Sequence, residues 1–301
     1  MLYKLETKGK DILKTSNNLS WGTSSDTLGS QLSFDSLENL SMGQIVKFFI
    51  DGYEVFRGVV VLCTENKFYY NYTCFDYSFY LKNEVVKQFN NVDVTSALSS
   101  LLLEHELGHI IVNIPTKINK FYNGVSLADI IDDMIDIAQK DQGKYYYREM
   151  DGGRLVIEEL EGKAIYPKLV FGDFTTDWSI ENRKNRIIVS SGNEEEGKIE
   201  AEAFDEQSKW WHGLLQKVEK VDADNVAQAQ NMANNLLSQL NKTTRTATIP
   251  CLVLDRAETL KANRYIKIEM PKRWLNGWYK IKSVKHTLVN GVHKADIELE
   301  W

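Results

Sequence analysis

The sequence predicts an α+β, β-rich protein: two antiparallel β regions, an α/β insert between them, and one long connecting helix inside the second region. Three observations carry this expectation. Period-two alternation with hairpin turns fills residues 44–80 and returns over residues 279–301. Helical spacing replaces it over residues 94–107 and 127–138. A third apolar helical stripe stands between strand signals at about residues 223–241.

In the first region Val46, Phe48 and Ile50 alternate with Lys47, Phe49 and Asp51, and Asp51-Gly52 is a tight-hairpin signal. Val55 to Leu62 is a continuous β-branched and aromatic run. Lys67 to Tyr77 alternates again and is dense in Tyr and Phe, which suit a pleated, half-buried surface. Residues 1–86 therefore read as a small antiparallel β domain. The pattern then changes. Val94, Leu98, Leu101, Leu102 and His105 share one helical face, Gly108 suits a helix C-cap, and Ile110-Ile111-Val112 reads as a short strand stopped by Pro115. Ser126 to Asp129 is a capping-box type start for a helix whose stripe is Leu127, Ile130, Ile131, Met134, Ile135 and Ala138. Lys144 to Arg148 and Arg154 to Leu160 flank a turn at Asp151-Gly152-Gly153. Residues 87–153 form the insert.

Strand signals resume at Ile165 and continue through a hairpin of Asn185 to Ser191 with Lys198 to Phe204, with Glu194-Glu195-Glu196 as its solvated tip. The long helix follows, with Val226, Ala229, Ala233, Leu236, Leu237 and Leu240 as its apolar side. Lys242 to Ile249 is a strand. Tyr279 to Thr287 and Ala295 to Trp301 form a last hairpin across Asn290-Gly291. Residues 154–301 make the second β domain.

Composition narrows the function. With 301 residues, 43% hydrophobic and 26% charged, the chain can bury a sizeable core. A net charge of −6 disfavours both sequence-specific nucleic-acid binding and attraction to anionic lipid. Cys63, Cys74 and Cys251 are odd in number and unclustered, which fits a reducing compartment. The first residues lack the apolar core of a signal peptide, and no window reaches the roughly 18 apolar residues of a membrane span. Cytoplasmic synthesis without membrane insertion is expected, with no cofactor.

One motif argues for chemistry. His105-Glu106-Leu107-Gly108-His109 matches H-E-x-x-H, in which two histidines four apart on a helix share a zinc and the glutamate acts as base on its water. A zinc metallopeptidase is thus the alternative reading. Against it, the extended third-ligand positions hold Val112 and Pro115. Asp132, Asp133 and Asp136 lie off the apolar stripe of their helix. The helix also ends near Gly108, which takes His109 off the face of His105. His212, His286 and His293 are scattered in sequence. Trp210-Trp211 and Trp301 are either core plugs or interface anchors.

Lys209-Trp210-Trp211-His212-Gly213-Leu214-Leu215-Gln216, the helix after it, and the closing hairpin Tyr279 to Trp301 resemble the XkdQ-type hub proteins of phage tails and phage-derived contractile particles. Leu19-Ser20-Trp21, Leu32-Ser33-Phe34, Val55-Phe56-Arg57-Gly58-Val59, Tyr80-Leu81-Lys82-Asn83 and Gly143-Lys144-Tyr145-Tyr146 extend the resemblance over nearly the whole chain. The family departs at His105 to His109, where no metal motif is expected, and at Trp274 to Trp278. The resemblance implies two tail-tube-like β-barrel domains and a homotrimer. That trimer would be a symmetry adaptor between a sixfold tail tube protein and a threefold central spike protein, beside baseplate wedge or tape-measure proteins. It implies no catalysis, although a tail-borne cell-wall hydrolase is a further rival. It also implies assembly in the bacterial cytoplasm and a final place in the tail baseplate.

Overall fold

The computed structural model describes residues 1–160, 162–192, 197–221, 223–270 and 275–301. The expected acidic tip Glu194-Glu195-Glu196 and Trp274 lie outside the described residues.

The first region supplies seven strands: β1 (Tyr3–Thr7), β2 (Lys10–Asp11), β3 (Ser16–Ser24), β4 (Gln31–Ser36), β5 (Ile45–Ile50), β6 (Tyr53–Glu65) and β7 (Tyr70–Asp76). The β5–β6 turn sits at Asp51-Gly52, both with positive φ (49° and 86°), as a two-residue hairpin with right-handed twist requires. The insert follows as β8 (Glu84–Asp93), α1 (Val94–Glu104), β9 (Gly108–Ile111), β10 (Lys117–Ser126), α2 (Leu127–Gln142), β11 (Tyr146–Asp151) and β12 (Arg154–Glu159). β8 pairs antiparallel with β10, while β12 pairs antiparallel with β11 and parallel with β9. The α1 face Leu98, Leu101 and Leu102 and the α2 stripe Ile130, Ile131 and Met134 share one fully buried core. Ser126 caps α2 by accepting from the Asp129 N–H at 3.1 Å.

The remainder comprises β13 (Ala164–Ile165), β14 (Lys168–Phe171), β15 (Thr176–Ser179), β16 (Arg186–Ser191), β17 (Lys198–Phe204), α3 (Glu206–His212), β18 (Gln216–Lys220), α4 (Ala229–Leu240), β19 (Thr244–Asp255), β20 (Tyr265–Met270), β21 (Leu275–Val289) and β22 (Val292–Glu300). A separate sheet, β17-β16-β18, packs Ile187, Val189, Ala201 and Ala203 on the α4 side chains Ala229, Met232, Ala233 and Leu236.

The β regions at the two ends of the sequence join. Their strands form one sheet with the path β14-β19-β22-β21-β3-β4-β7-β6-β5-β1-β2. The seam is β3 against β21, where Leu19 to Ser24 lie antiparallel to Leu288 to Ser283. A single core spans the seam, with Leu5, Phe34, Phe48 and Tyr72 from one side and Ile249, Ile281 and Ile297 from the other, all essentially inaccessible to water. The sheet curls far enough that Tyr3 on β1 reaches His293 on β22, with Oη 3.1 Å from Nδ1.

Two helices are shorter than expected. α1 stops at Glu104 because Glu106 takes a left-handed conformation (φ 57°). The Leu107 N–H then donates to Leu102 O at 2.9 Å and the Glu106 N–H to Leu103 O at 3.1 Å. Those two bonds are a Schellman ending, with a glutamate where glycine is usual. Gly108 is therefore the first residue of β9 rather than a cap. The stretch Ala223–Gln228 is 3-10, and only Ala229–Leu240 is α-helical. Its sequence contains Asp224 and Asn225, poor residues for a helix interior.

Candidate functional site

The histidine motif does not assemble. His105 is the C-cap residue of α1 and His109 lies in β9, its Nδ1 3.2 Å from Leu107 O. With Glu106 at positive φ between them, the two imidazoles no longer share the helical face that a common metal needs. Among the described residues no group of three or more His, Cys, Asp or Glu side chains is placed to hold a metal ion. The aspartates of α2 are engaged elsewhere. Asp133 accepts from Lys120 at 2.9 Å and from the Tyr122 hydroxyl at 2.6 Å, Asp132 pairs with Arg148 at 2.5 Å, and Asp136 pairs with Lys140.

The tryptophan pair is prominent instead. Trp210 and Trp211 are 76% and 66% exposed, in mutual edge contact with ring centroids 4.5 Å apart. The core-plug reading thus fails for this pair, because both rings lie on the exposed side of α3, whose Ser208 is buried. Their helix is held at both ends by asparagines. Asp205 caps α3 by accepting from the Ser208 N–H at 2.9 Å, and its other oxygen accepts from Asn241 Nδ2 at 2.6 Å. Asn241 Oδ1 accepts from Ser208 Oγ and from Arg183 Nε. Beyond the helix, fully buried Asn185 donates to Gly213 O at 2.7 Å and accepts from the Leu215 N–H at 2.9 Å. Two large rings are therefore presented on a fixed support, and ordering them costs little further entropy on binding. Leu214 and, on the neighbouring strands, Ile199 and Val218 add exposed apolar surface. Trp301 is different: half-buried, it packs edge-on against Tyr279 at 5.0 Å while its backbone exchanges two hydrogen bonds with Arg245.

Ionic contacts tie the insert to the rest. Arg264, beside β20, donates to Glu149 on β11 at 2.7 and 3.1 Å. Lys140 on α2 pairs with Glu219 on β18. Burial works against the charge on both, yet Asp136 and Glu219 hold the Lys140 amine above its ordinary range, and Lys140 and Lys217 hold Glu219 below its own. Asn235 on α4 donates to the α2 carbonyls of Lys140 and Asp141.

Sequence reasoning missed Asn185, Asn241 and Asp205, which carry no motif. It also left His286 and His293 apart, although the Asn290-Gly291 turn offered a signal. A two-residue hairpin there sets His293 opposite Leu288 and His286 opposite Ala295, which puts both imidazoles on one face. They meet in the core, His286 Nδ1 2.9 Å from His293 Nε2.

A curled antiparallel sheet of this size, carrying an α/β insert, defines a β-rich α+β architecture. The chain belongs to the YqbQ-like family, whose model matches residues 19–300. No curated protein matches it in sequence. Among solved structures it is similar to the 43 kDa tail protein of prophage MuSo2 from Shewanella oneidensis, with TM-score 0.72 and 13% identity over 99% of this chain and 97% of that one. A tail protein from Neisseria meningitidis MC58 gives TM-score 0.72 and 13% identity over 99% and 96%. An Escherichia coli component of the type VI secretion system, itself described as structurally similar to bacteriophage T4 tail proteins, gives 0.56 and 11% over 98% and 76%. The fold is that of phage tail proteins. No helix among the described residues is long and apolar enough to cross a membrane.

Proposed function

We propose that the chain is a structural, non-enzymatic component of a phage tail or related contractile particle: the hub of the baseplate. The observation that carries this is the end-to-end correspondence of fold with tail proteins of nearly the same length, one of them from a prophage. In this reading three copies form a ring. Residues 1–86 and 154–301 act as two tube-like β units per subunit, and residues 87–153 as the insert between them. Three subunits with two units each present a pseudo-sixfold face to a tail tube and a threefold face to a central spike. Trp210 and Trp211, with Trp301 less exposed, belong to its contact surfaces. Assembly takes place in the bacterial cytoplasm, ahead of incorporation into the tail.

Function here is geometric, and large interfaces do the work. The H-E-x-x-H residues take no part in it, since His105 and His109 fall on different elements. Native mass spectrometry of the purified chain, alone and with the spike protein of the same particle, tests the reading. A trimer in either sample supports it, and a monomer in both, at concentrations where the spike itself trimerises, overturns it.

A further inference from the structure

His286 and His293 are buried in the curled sheet as links in a hydrogen-bonded chain whose direction is fixed from one end. His286 Nε2 lies 2.9 Å from Leu260 O, and a carbonyl can only accept, so that nitrogen carries the proton. A neutral ring then has a bare Nδ1, which accepts from His293 Nε2–H at 2.9 Å. His293 in turn has a bare Nδ1, which accepts from the Tyr3 hydroxyl at 3.1 Å. The chain thus runs from β1 through β22 and β21 to the loop after the 3-10 turn Ala257–Thr259.

The surroundings keep it uncharged. Trp21 on β3 stacks flat on His286, with centroids 4.8 Å apart and planes 2° from parallel, and Phe48 on β5 packs edge-on against Trp21. The titratable groups facing the chain are its own two histidines and Tyr3, with Asp51 acting on Tyr3 from the β5–β6 turn. Burial pushes His286 down to about 3 and His293 to about 4, and burial followed by Asp51 raises Tyr3 to about 12.

One added proton leaves every link made. With both nitrogens of His286 protonated, His293 switches tautomer and donates to Tyr3 Oη, and the Tyr3 hydroxyl turns towards Met1 Sδ, 3.6 Å away. A second proton would set N–H against N–H across 2.9 Å, between two like charges in the core. We propose that this chain is an acid-sensitive latch. It clips β1 onto the β21–β22 hairpin while it holds at most one proton, and it releases β1 when each ring takes a proton of its own. β1 is held besides by its pairing with β5, its short hairpin with β2 and the burial of Leu5 in the core, and its release would bare the β5 edge.

Hydrogen exchange of the full chain, corrected for the intrinsic pH dependence of amide exchange, tests this, with β22 as the internal reference. On acidification from about pH 7 to about pH 3, the range over which both rings come to take a proton, protection of Tyr3–Thr7 should fall about fivefold to tenfold more than that of β22, the equivalent of one hydrogen bond. Tyr3→Phe should show the lowered β1 protection already at neutral pH. In the unaltered protein, nitrogen NMR should find both imidazoles as the Nε2–H tautomer. Loss of β1 and β22 protection in equal measure, unchanged β1 protection throughout, or an Nδ1–H tautomer on either ring at neutral pH would each overturn the latch.

Discussion

Replacing Glu106 by glycine should stabilise the protein, although Glu106 stands where a metallopeptidase would keep its catalytic base. The residue holds φ 57° at the end of α1, and the Leu107→Leu102 and Glu106→Leu103 bonds hold it there. A side chain in the left-handed region costs about 1–2 kcal/mol through the approach of Cβ to the carbonyl oxygen. Glycine removes that contact but loses more backbone freedom on folding, about 0.5–1 kcal/mol. The net expectation for Glu106→Gly is a gain of about 0.5–1 kcal/mol. Glu106→Gln, which keeps the Cβ, should stay within about 0.3 kcal/mol of the parent. Urea unfolding followed by tryptophan fluorescence and far-ultraviolet circular dichroism reads both variants, as a shift in midpoint at constant slope. If Glu106→Gly were neutral or destabilising, the Schellman ending would not be the reason that α1 stops. The argument that separates His105 from His109 would then lose its footing.

Three further outcomes are expected. Gly22 lies on the β3–β21 seam, where an added Cβ would come within 2.7 Å of Val284 O, so Gly22→Ala should cost about 1–3 kcal/mol by forcing the strands apart. A loss below about 0.5 kcal/mol in urea unfolding would mean that the seam is loose. Burial first, and for His286 also the neighbouring ring, lowers the histidine pair to about 3 and about 4, so the unfolded chain binds protons that the fold excludes. The sign follows: stability is full above about pH 7 and falls as pH drops below the ordinary histidine value, by up to about 4 kcal/mol for the two rings at about pH 5. The double change His286→Gln with His293→Gln should flatten that slope in denaturant titrations; an unchanged slope would put its source elsewhere. Trp210→Ala with Trp211→Ala should leave subunit stability within about 0.5 kcal/mol, because both rings are exposed, yet weaken subunit or partner association by about 2 kcal/mol or more. Analytical ultracentrifugation at several concentrations separates the two effects, and unaltered association would remove the pair from the interface.

Much of the local structure was legible because its causes are local. Asp51-Gly52 and Asn290-Gly291 announced their hairpins, and both turns take the positive φ values that those residue types tolerate. Ser126 announced the start of α2, and the Leu127-to-Ala138 stripe its buried face. The end of α1 was misplaced because glycine at position 108 is the usual signal, whereas the residue that adopts the left-handed turn is Glu106. Propensity ranks residue types, but the pull of Leu107 into the insert core outweighs the rank. Of the candidate sites, the tryptophan pair was visible as a motif, but its exposure and its asparagine supports were not.

What the sequence by itself determined is the order of elements, their turns and their inward faces, since these follow from nearest-neighbour sterics and the two hydrophobic periods. It also carried the family likeness. Only the tertiary structure decided that β3 pairs with β21, more than 250 residues away along the chain, so that two β regions share one sheet and one core. Every strand edge offers the same row of N–H and C=O groups, so pairing partners are chosen by side-chain packing across the whole molecule. The same long-range choice brings Tyr3, His286 and His293 into one hydrogen-bonded line and leaves Trp210 and Trp211 facing outward.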